Sequence, residues 1–263
     1  MLDTIKNILS RVGIYRVGII KIEECEIINQ RILPEWAKSA ILFCIPYRST
    51  NEIPTDGFSE YARIYDYHNY AKNLYEKIIP TMKSETQHNF QGFCDHSPIN
   101  EKIAIAKCGL GVIGRNSLFI DDIYGSFVFI GSIITDITHR NDPFPTKSCI
   151  NCGLCINTCP SSAIIEKGID KNKCLSALSQ KKNRTQEENN ALQSAHIVWG
   201  CDICQNVCPH NKNAKISPIT YFKTTRVKHI NKEFVENLND EEFKKYAFSY
   251  KGKKIVLNNL ELM

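Results

Sequence analysis

Apolar positions in the first half of the chain follow two different periods. Val12 to Ile22 (VGIYRVGIIKI) and Ala40 to Tyr47 (AILFCIPY) are rich in β-branched and aromatic residues, which predicts strands. Gly125 to Thr135 is a continuous apolar run and predicts a buried strand, with a shorter one over Ser117 to Ile120. Tyr67, Tyr70, Ala71, Leu74 and Ile78 recur at helical spacing, so Tyr61 to Ile79 is predicted as a helix that Pro80 ends. Pro34 to Lys38 predicts a short helical turn, and Asn100 to Cys108 a second helix. His68, alone within the first helix, reads as structural.

Gly109, Gly111 and Gly114 spell G-x-G-x-x-G, but after a helix and before a strand. The dinucleotide fingerprint needs the reverse order, so nicotinamide binding is rejected. These glycines are expected to let the backbone approach some other large cofactor. Asn141 to Pro145 (NDPFP) reads as a linker. Beyond it, Lys181 to Arg184 is a basic loop, Gln186 to Val198 a helix, and Asn231 to Tyr246 a last charged amphipathic helix.

The cysteines change the picture. Cys149, Cys152, Cys155 and Cys159-Pro160 read C-x2-C-x2-C-x3-C-P, and Cys201, Cys204 and Cys208-Pro209 form a second run, with Cys174 between. This is the spacing of bacterial ferredoxins carrying two [4Fe–4S] clusters, in which the fourth cysteine of a run crosses to the other cluster. The rule gives one cluster Cys149, Cys152, Cys155 and Cys208. The other takes Cys159, Cys201 and Cys204, and Cys174 is the nearest candidate to close the set. Structural zinc also uses CxxC pairs, but does not call for proline-closed runs. The opening segment MLDTIKNILS does not read as a signal peptide, so disulfides are not expected and the protein is expected in the cytoplasm.

With 263 residues, 43% hydrophobic and 23% charged, the chain has room for one large domain or two smaller ones. No run approaches the roughly 20 apolar residues of a membrane span. Eleven Lys and Arg against six Asp and Glu beyond position 210 account for the whole formal charge of +5. Such an end can attract nucleic acid, although on charge alone a solvated lysine-rich surface is the better account.

Ordered motifs then carry a resemblance. They are Tyr61-Ala62-Arg63, Asp66-Tyr67-His68, Asp95-x-x-Pro98 with Glu101, and Gly109-Leu110-Gly111-x-Ile113-Gly114-x-Asn116-x-Leu118. Gly125-Ser126, Ile133-Ile134-Thr135-Asp136, the cysteine runs and Gly200-Cys201-Asp202 follow. From about residue 34 to 210 the sequence resembles the epoxyqueuosine reductases, the cobalamin-dependent iron–sulfur enzymes of tRNA queuosine biosynthesis. It is similar to a short form, expected to lack the C-terminal helical-repeat extension of other members. The resemblance implies an α+β architecture: an α/β cobalamin-binding catalytic domain over 1–140, a ferredoxin-like double [4Fe–4S] domain over 141–212, and a basic helical segment over 213–263 packing on the core.

It further implies reduction of epoxyqueuosine to queuosine at the tRNA wobble position by a monomer fed by an external electron donor. Ala62, Asp95, Asn116, Phe119, Ser126 and Asp202 match the family's cobalamin contacts, and Asp95 its proton donor. Enclosure between a corrin face and apolar residues such as Phe93 is expected to raise the Asp95 pKa and keep it protonated nearer neutral pH. Read from the residues alone, Asp95 is equally well a helix cap ahead of Pro98. Two other readings are a corrinoid reductase of another substrate and a ferredoxin-like electron carrier.

Overall fold

The computed structural model describes residues 1–139, 147–166 and 168–263; the NDPFP linker lies outside them. Helix α1 (Leu2–Ser10) leads into β1 (Val17–Lys21), and β2 (Ser39–Pro46) follows. The first predicted strand is thus shorter than its apolar run, because residues 11–13 form a turn that closes α1. Pro34 to Lys38 holds a single turn, with Ala37 N–H on the Pro34 carbonyl, and no helix.

Helix α2 (Tyr67–Thr86) starts where Asp66 Oδ1 accepts the His68 N–H at 2.9 Å. A separate 3-10 turn occupies Glu60–Arg63, and the helix runs through Pro80 rather than ending there. Proline removes the bond to the carbonyl four residues back, but Glu76 and Pro80 are both on the exposed face, where water can take that carbonyl. Next come β3 (Phe90–Phe93), α3 (Glu101–Lys107), the hairpin strands β4 (Gly111–Ile113) and β5 (Phe119–Asp121), and β6 (Val128–Thr135). Asn100 caps α3 by accepting the Ile103 N–H.

The main sheet has the order β1-β2-β6-β3 and is antiparallel throughout. All eight residues of β2 are buried. Ile41, Phe43 and Ile45 face a core shared with α1 and α2, while Ala40, Leu42 and Cys44 face one shared with α3. Two-residue alternation thus gives the central strand two apolar faces, each covered by helix. The glycine motif serves the hairpin: a Cβ on Gly111 would lie 2.0 Å from the Ile120 carbonyl oxygen. Strand pairing, rather than approach to a cofactor, is what excludes a side chain there.

The cysteine-rich segment holds α4 (Leu154–Thr158), a ribbon of β7 (Ile164–Ile165) and β8 (Gly168–Ile169), then α5 (Leu175–Leu178), α6 (Gln186–Ser194) and α7 (Ile203–Asn206). Helix α6 stops four residues before the predicted Val198. Helices α4 and α7 pack on each other.

The chain closes with α8 (Thr220–Thr225), α9 (Lys232–Asn237), α10 (Asp240–Phe243) and α11 (Lys253–Glu261). The single helix predicted over Asn231 to Tyr246 is therefore two. Asn239 opens α10 with a capping box to Glu242, and that polar exchange competes with continuing α9. Phe58 and Ala62, Val198 and Trp199, and Val235, Phe243, Phe248 and Val256 share one core, so the last 50 residues join the other two parts. Arg63, fully buried, donates to the Val227 and Lys228 carbonyls and pairs with Asp56. No helix among the described residues is long and apolar enough to cross a membrane.

Candidate functional site

Cys149, Cys152, Cys155 and Cys208 line one small cavity, floored by Gly114, Asn116 and Ile120. His210 lines it too, and its buried Nε2 has no hydrogen-bond partner among the described residues. An unpaired ring nitrogen among four thiols fits a group rich in sulfur acceptors. Cys201 lies in the field of Cys174 and Cys159, and Cys204 in that of Cys201 and Cys174. Burial pushes the Cys201 and Cys204 thiols up to about 12, a penalty that coordination to a cation removes. Burial also works against the charged form of Cys159, but the Ala163 amide at 3.3 Å and the Ser161 hydroxyl outweigh it and lower the thiol. Amides directed at sulfur are a means by which proteins tune cluster potentials.

Asp95 sits between β3 and α3 in a backbone conformation that L residues rarely adopt, with φ 61°. His96 N–H reaches the Cys94 carbonyl at 2.7 Å, closing a three-residue turn around it. The Asp95 side chain, 56% exposed, faces two cavities. One, of about 350 Å³, is lined by Asp95, Glu101, Ser117, Phe119, Ser126 and Phe129 among others. The second, of about 570 Å³, is lined by Tyr61, Asp66, Tyr67, His68, Asp95, Phe129, Ala247 and Tyr250. Asp95 and Phe129 belong to both, so the cavities meet at the carboxyl. The C-terminal turn Ala247–Lys251 supplies part of the wall. Tyr67 stacks on Phe129 with ring centres 3.8 Å apart, which keeps the phenol aimed at Asp95.

The electrostatics depart from the sequence expectation. Burial does favour a protonated Asp95, but hydrogen bonds from His68 and Tyr67 outweigh it and hold the carboxyl below its ordinary range. Hydrogen bonds to Asp66 and Asp95 push His68 up to about 10. In the protein alone, Asp95 is therefore paired with His68 rather than kept neutral by desolvation, and the shifts of the two groups favour the proton on the imidazole. Glu101 behaves in the way expected of Asp95, pushed up to about 7 by burial. His68, read as structural, was missed; its only signal was its place in the Asp66-Tyr67-His68 motif. Tyr250 had no signal at all.

Of the residues singled out for a cofactor, Asp95, Phe119 and Ser126 share the smaller cavity. Ser126 is anchored twice by Asn211, its N–H on Oδ1 and its Oγ taking Nδ2, each at 2.8 Å. Asn116 stands on the cysteine side, its Nδ2 reaching the Cys204 carbonyl at 3.4 Å. Asp202 accepts the Glu60 N–H at 2.7 Å, and burial pushes it up to about 6. Ala62 is fully buried in the adjoining turn and lines neither cavity.

Residues 148–211, which contain all eight cysteines, match the family described as 4Fe-4S double cluster binding domain. Fold and site together define a double-cluster iron–sulfur protein whose cluster segment is joined to a helix-covered antiparallel sheet. Among named relatives, the epoxyqueuosine reductase of Cellulophaga algicola is 32% identical over 227 residues, 83% of this chain and 73% of that protein. That of Aliivibrio fischeri is 35% identical over 161 residues, 60% of this chain and only 43% of that longer protein. A crystal structure of epoxyqueuosine reductase with a tRNA-Tyr epoxyqueuosine-modified stem loop superposes with TM-score 0.80 at 20% identity, covering 99% of this chain and 80% of that one. The chain belongs to the epoxyqueuosine reductase family.

Proposed function

We propose that the protein reduces epoxyqueuosine to queuosine in tRNA, using two [4Fe–4S] clusters and a cobalamin held in the cleft at Asp95. The observation that carries this reading is the meeting of the two cavities at the Asp95–His68 pair, beside the segment that bears eight cysteines. One cluster is assigned to Cys149, Cys152, Cys155 and Cys208, whose shared cavity supports the set. The other is assigned to Cys159, Cys174, Cys201 and Cys204. Phe119 and Ser126, with the neighbouring Asn116, Ala62 and Asp202, are the residues that would hold the corrin.

Converting an epoxide to an alkene and water consumes two electrons and two protons. An external one-electron donor supplies the electrons through the clusters, and cobalamin, when bound, supplies the metal centre that acts on carbon. The chain's own part is the proton. His68, pushed up to about 10 and paired with Asp95 at 3.3 Å, keeps a proton at the cleft for the oxygen that leaves as the ring opens. The stacked Tyr67 and Phe129 exclude water from one side of that carboxyl. The test is anaerobic reconstitution with iron, sulfide and cobalamin, followed by nucleoside mass spectrometry on epoxyqueuosine-containing tRNA. Queuosine should appear only with a reductant present. A fully loaded protein that leaves the epoxide intact would overturn the assignment.

A further inference from the structure

The His210 ring lines the cavity shared by Cys149, Cys152, Cys155 and Cys208, and its buried Nε2 has no partner among the described residues. Buried polar atoms of this kind are rare in folded proteins, because an unmade hydrogen bond is costly. The ring stands on a short turn, Pro209–Asn211, that is fixed at both ends. Pro209 presets the first φ of the turn, and the Asn211 N–H returns to the Cys208 carbonyl at 2.9 Å. Asn211 Nδ2 donates to the Gln205 carbonyl at 2.7 Å and to the Ser126 hydroxyl at 2.8 Å. The backbone that supplies Cys208 to the cavity therefore also carries the imidazole. Neighbouring donors are already engaged. Asn116 Nδ2 donates to the Cys204 carbonyl at 3.4 Å, and the Gly114 N–H to the Leu118 carbonyl at 2.9 Å. Arg115 is partly exposed, within reach of water. His210 Nε2 is left with the sulfur atoms that the cavity offers.

We propose that His210 tunes the cluster assigned to these four cysteines: its Nε2–H donates to a cluster sulfur and raises the reduction potential of that cluster. The proposal rests on that cluster assignment and goes beyond it. One-electron reduction makes the cluster more negative, and a donor is held more tightly as its acceptor gains negative charge. The bond therefore favours the reduced state, and hydrogen bonds to the sulfurs are among the factors that set cluster potentials. The position suits the cluster that takes up an electron first. Cys152 is exposed, as are Ile150 and Leu154 beside it, whereas Cys159, Cys174, Cys201 and Cys204 are partly buried. An external one-electron donor protein thus reaches this cluster more easily than the other. The donor is oxidised by one electron as the cluster is reduced by one, and no bond is broken.

Two measurements on the protein carrying both clusters test this, and neither needs tRNA, cobalamin or turnover. The first is a potentiometric titration followed by EPR. His210→Phe keeps a ring of similar bulk and removes the N–H. One couple should shift against reduction by about tenfold, which is about 59 mV for one electron, while the other stays in place. His210→Gln, which keeps an N–H at similar reach, should restore most of that loss. A merely structural role would not separate the two variants in this way. The second measurement is pulsed EPR of the reduced wild type, made with histidine isotopically labelled at the ring nitrogens. It should show coupling to a ring nitrogen, and His210→Phe should lose that coupling. Unchanged potentials in His210→Phe, or both couples moving together, would overturn the proposal. So would a reduced wild-type protein without ring-nitrogen coupling, which decides the matter even if no variant folds. Full iron content in Cys149→Ala would overturn the cluster assignment and this inference with it, so the two failures are told apart.

Discussion

His68 Nε2 stands 3.3 Å from Asp95 Oδ2, while Nδ1 of the same ring lies 2.7 Å from Asp66 Oδ1. One imidazole is thus clasped by two carboxylates, both of which it holds below their ordinary range against the opposing effect of burial. The pair behaves as one acid whose proton sits on nitrogen, in a cavity that His68 and Asp95 both line. Asp66 orients the ring and, by capping α2, ties that orientation to the helix.

The first prediction follows from this clasp. Because His68 keeps its proton up to about 10, a proton-limited rate should hold across neutral pH and fall only as pH approaches that value. In His68→Gln the proton must come from Asp95 itself, so the alkaline limb should move down by several pH units towards the carboxylate range. Asp95→Asn should lower the rate by about 10²–10⁴-fold while retaining both clusters. Single-turnover pH–rate profiles on the loaded protein decide it, and an unmoved limb in His68→Gln would place the acid elsewhere.

The contrast between the two halves of the site explains what was legible in the sequence. The cysteines assigned to the clusters are legible by spacing, because all eight fall within one segment and proline follows the last of each run, the member assigned to cross over. The clasp at Asp95 is a tertiary object: His68 and Asp95 approach only because α2 packs beside β3, and Tyr250 arrives from the C-terminal end. Desolvation of Asp95 was foreseeable from its apolar neighbours, but its hydrogen-bond partners were not, and those partners reverse the sign. Pro80 teaches the same lesson locally, since an exposed carbonyl made a proline tolerable inside a helix.

A second prediction concerns the cluster segment. Cys174 stands at the N-cap of α5, and Cys201 and Cys204 both feel its charge. Cys174→Ala should take iron from about eight to about four atoms per chain, with loss confined to one cluster. Cys25, Cys44, Cys94 and Cys108 lie apart from this group and should be replaceable without loss of iron. A Cys174→Ala protein with full iron content would remove Cys174 from the set.

Stability offers a third. Glu60 is buried and pairs with Arg226 at 2.7 Å, joining the turn at Ala62 to the segment after α8. Burial raises the Glu60 pKa, and the Arg226 hydrogen bond opposes the rise. With its folded pKa above the unfolded value, Glu60 contributes stability that is complete below the ordinary carboxylate range and lost as pH rises through the folded pKa. Arg226→Met strands the carboxylate and moves that folded pKa further up. It should cost about 3–5 kcal/mol near neutral pH, and less in mild acid where Glu60 can take up a proton. Denaturant midpoints at the two pH values check this, and a loss independent of pH would show that the pair is not the cause.

The last prediction locates the polyanion. Many of the basic side chains that charge counting would assign to phosphates are already engaged. Arg184 is held by the Leu178 and Lys181 carbonyls and by Asn259, Lys181 by Glu188, Lys253 by the Glu236 and Leu238 carbonyls, and Arg226 by Glu60. Lys244, Lys245 and Lys251 are exposed instead, and Lys245 and Lys251 adjoin residues that line the larger cavity. The Lys245 carbonyl takes the Asp66 N–H at 2.7 Å, and the Lys251 ammonium lies 4.9 Å from the centre of the Tyr250 ring that walls the larger cavity. An anticodon loop delivering a base to Asp95 would bring its phosphates past Lys245 and Lys251. Binding of epoxyqueuosine-containing tRNA should therefore weaken with salt, each phosphate contact adding about 0.9 to the slope of log affinity against log salt. Lys245→Gln and Lys251→Gln should each flatten that slope by about one and weaken binding of all tRNAs alike. Lys181→Gln should leave the slope unchanged, because its charge already faces Glu188. If Lys181→Gln flattens the slope and the cleft lysines do not, the RNA runs across the cluster segment and enters from the opposite side.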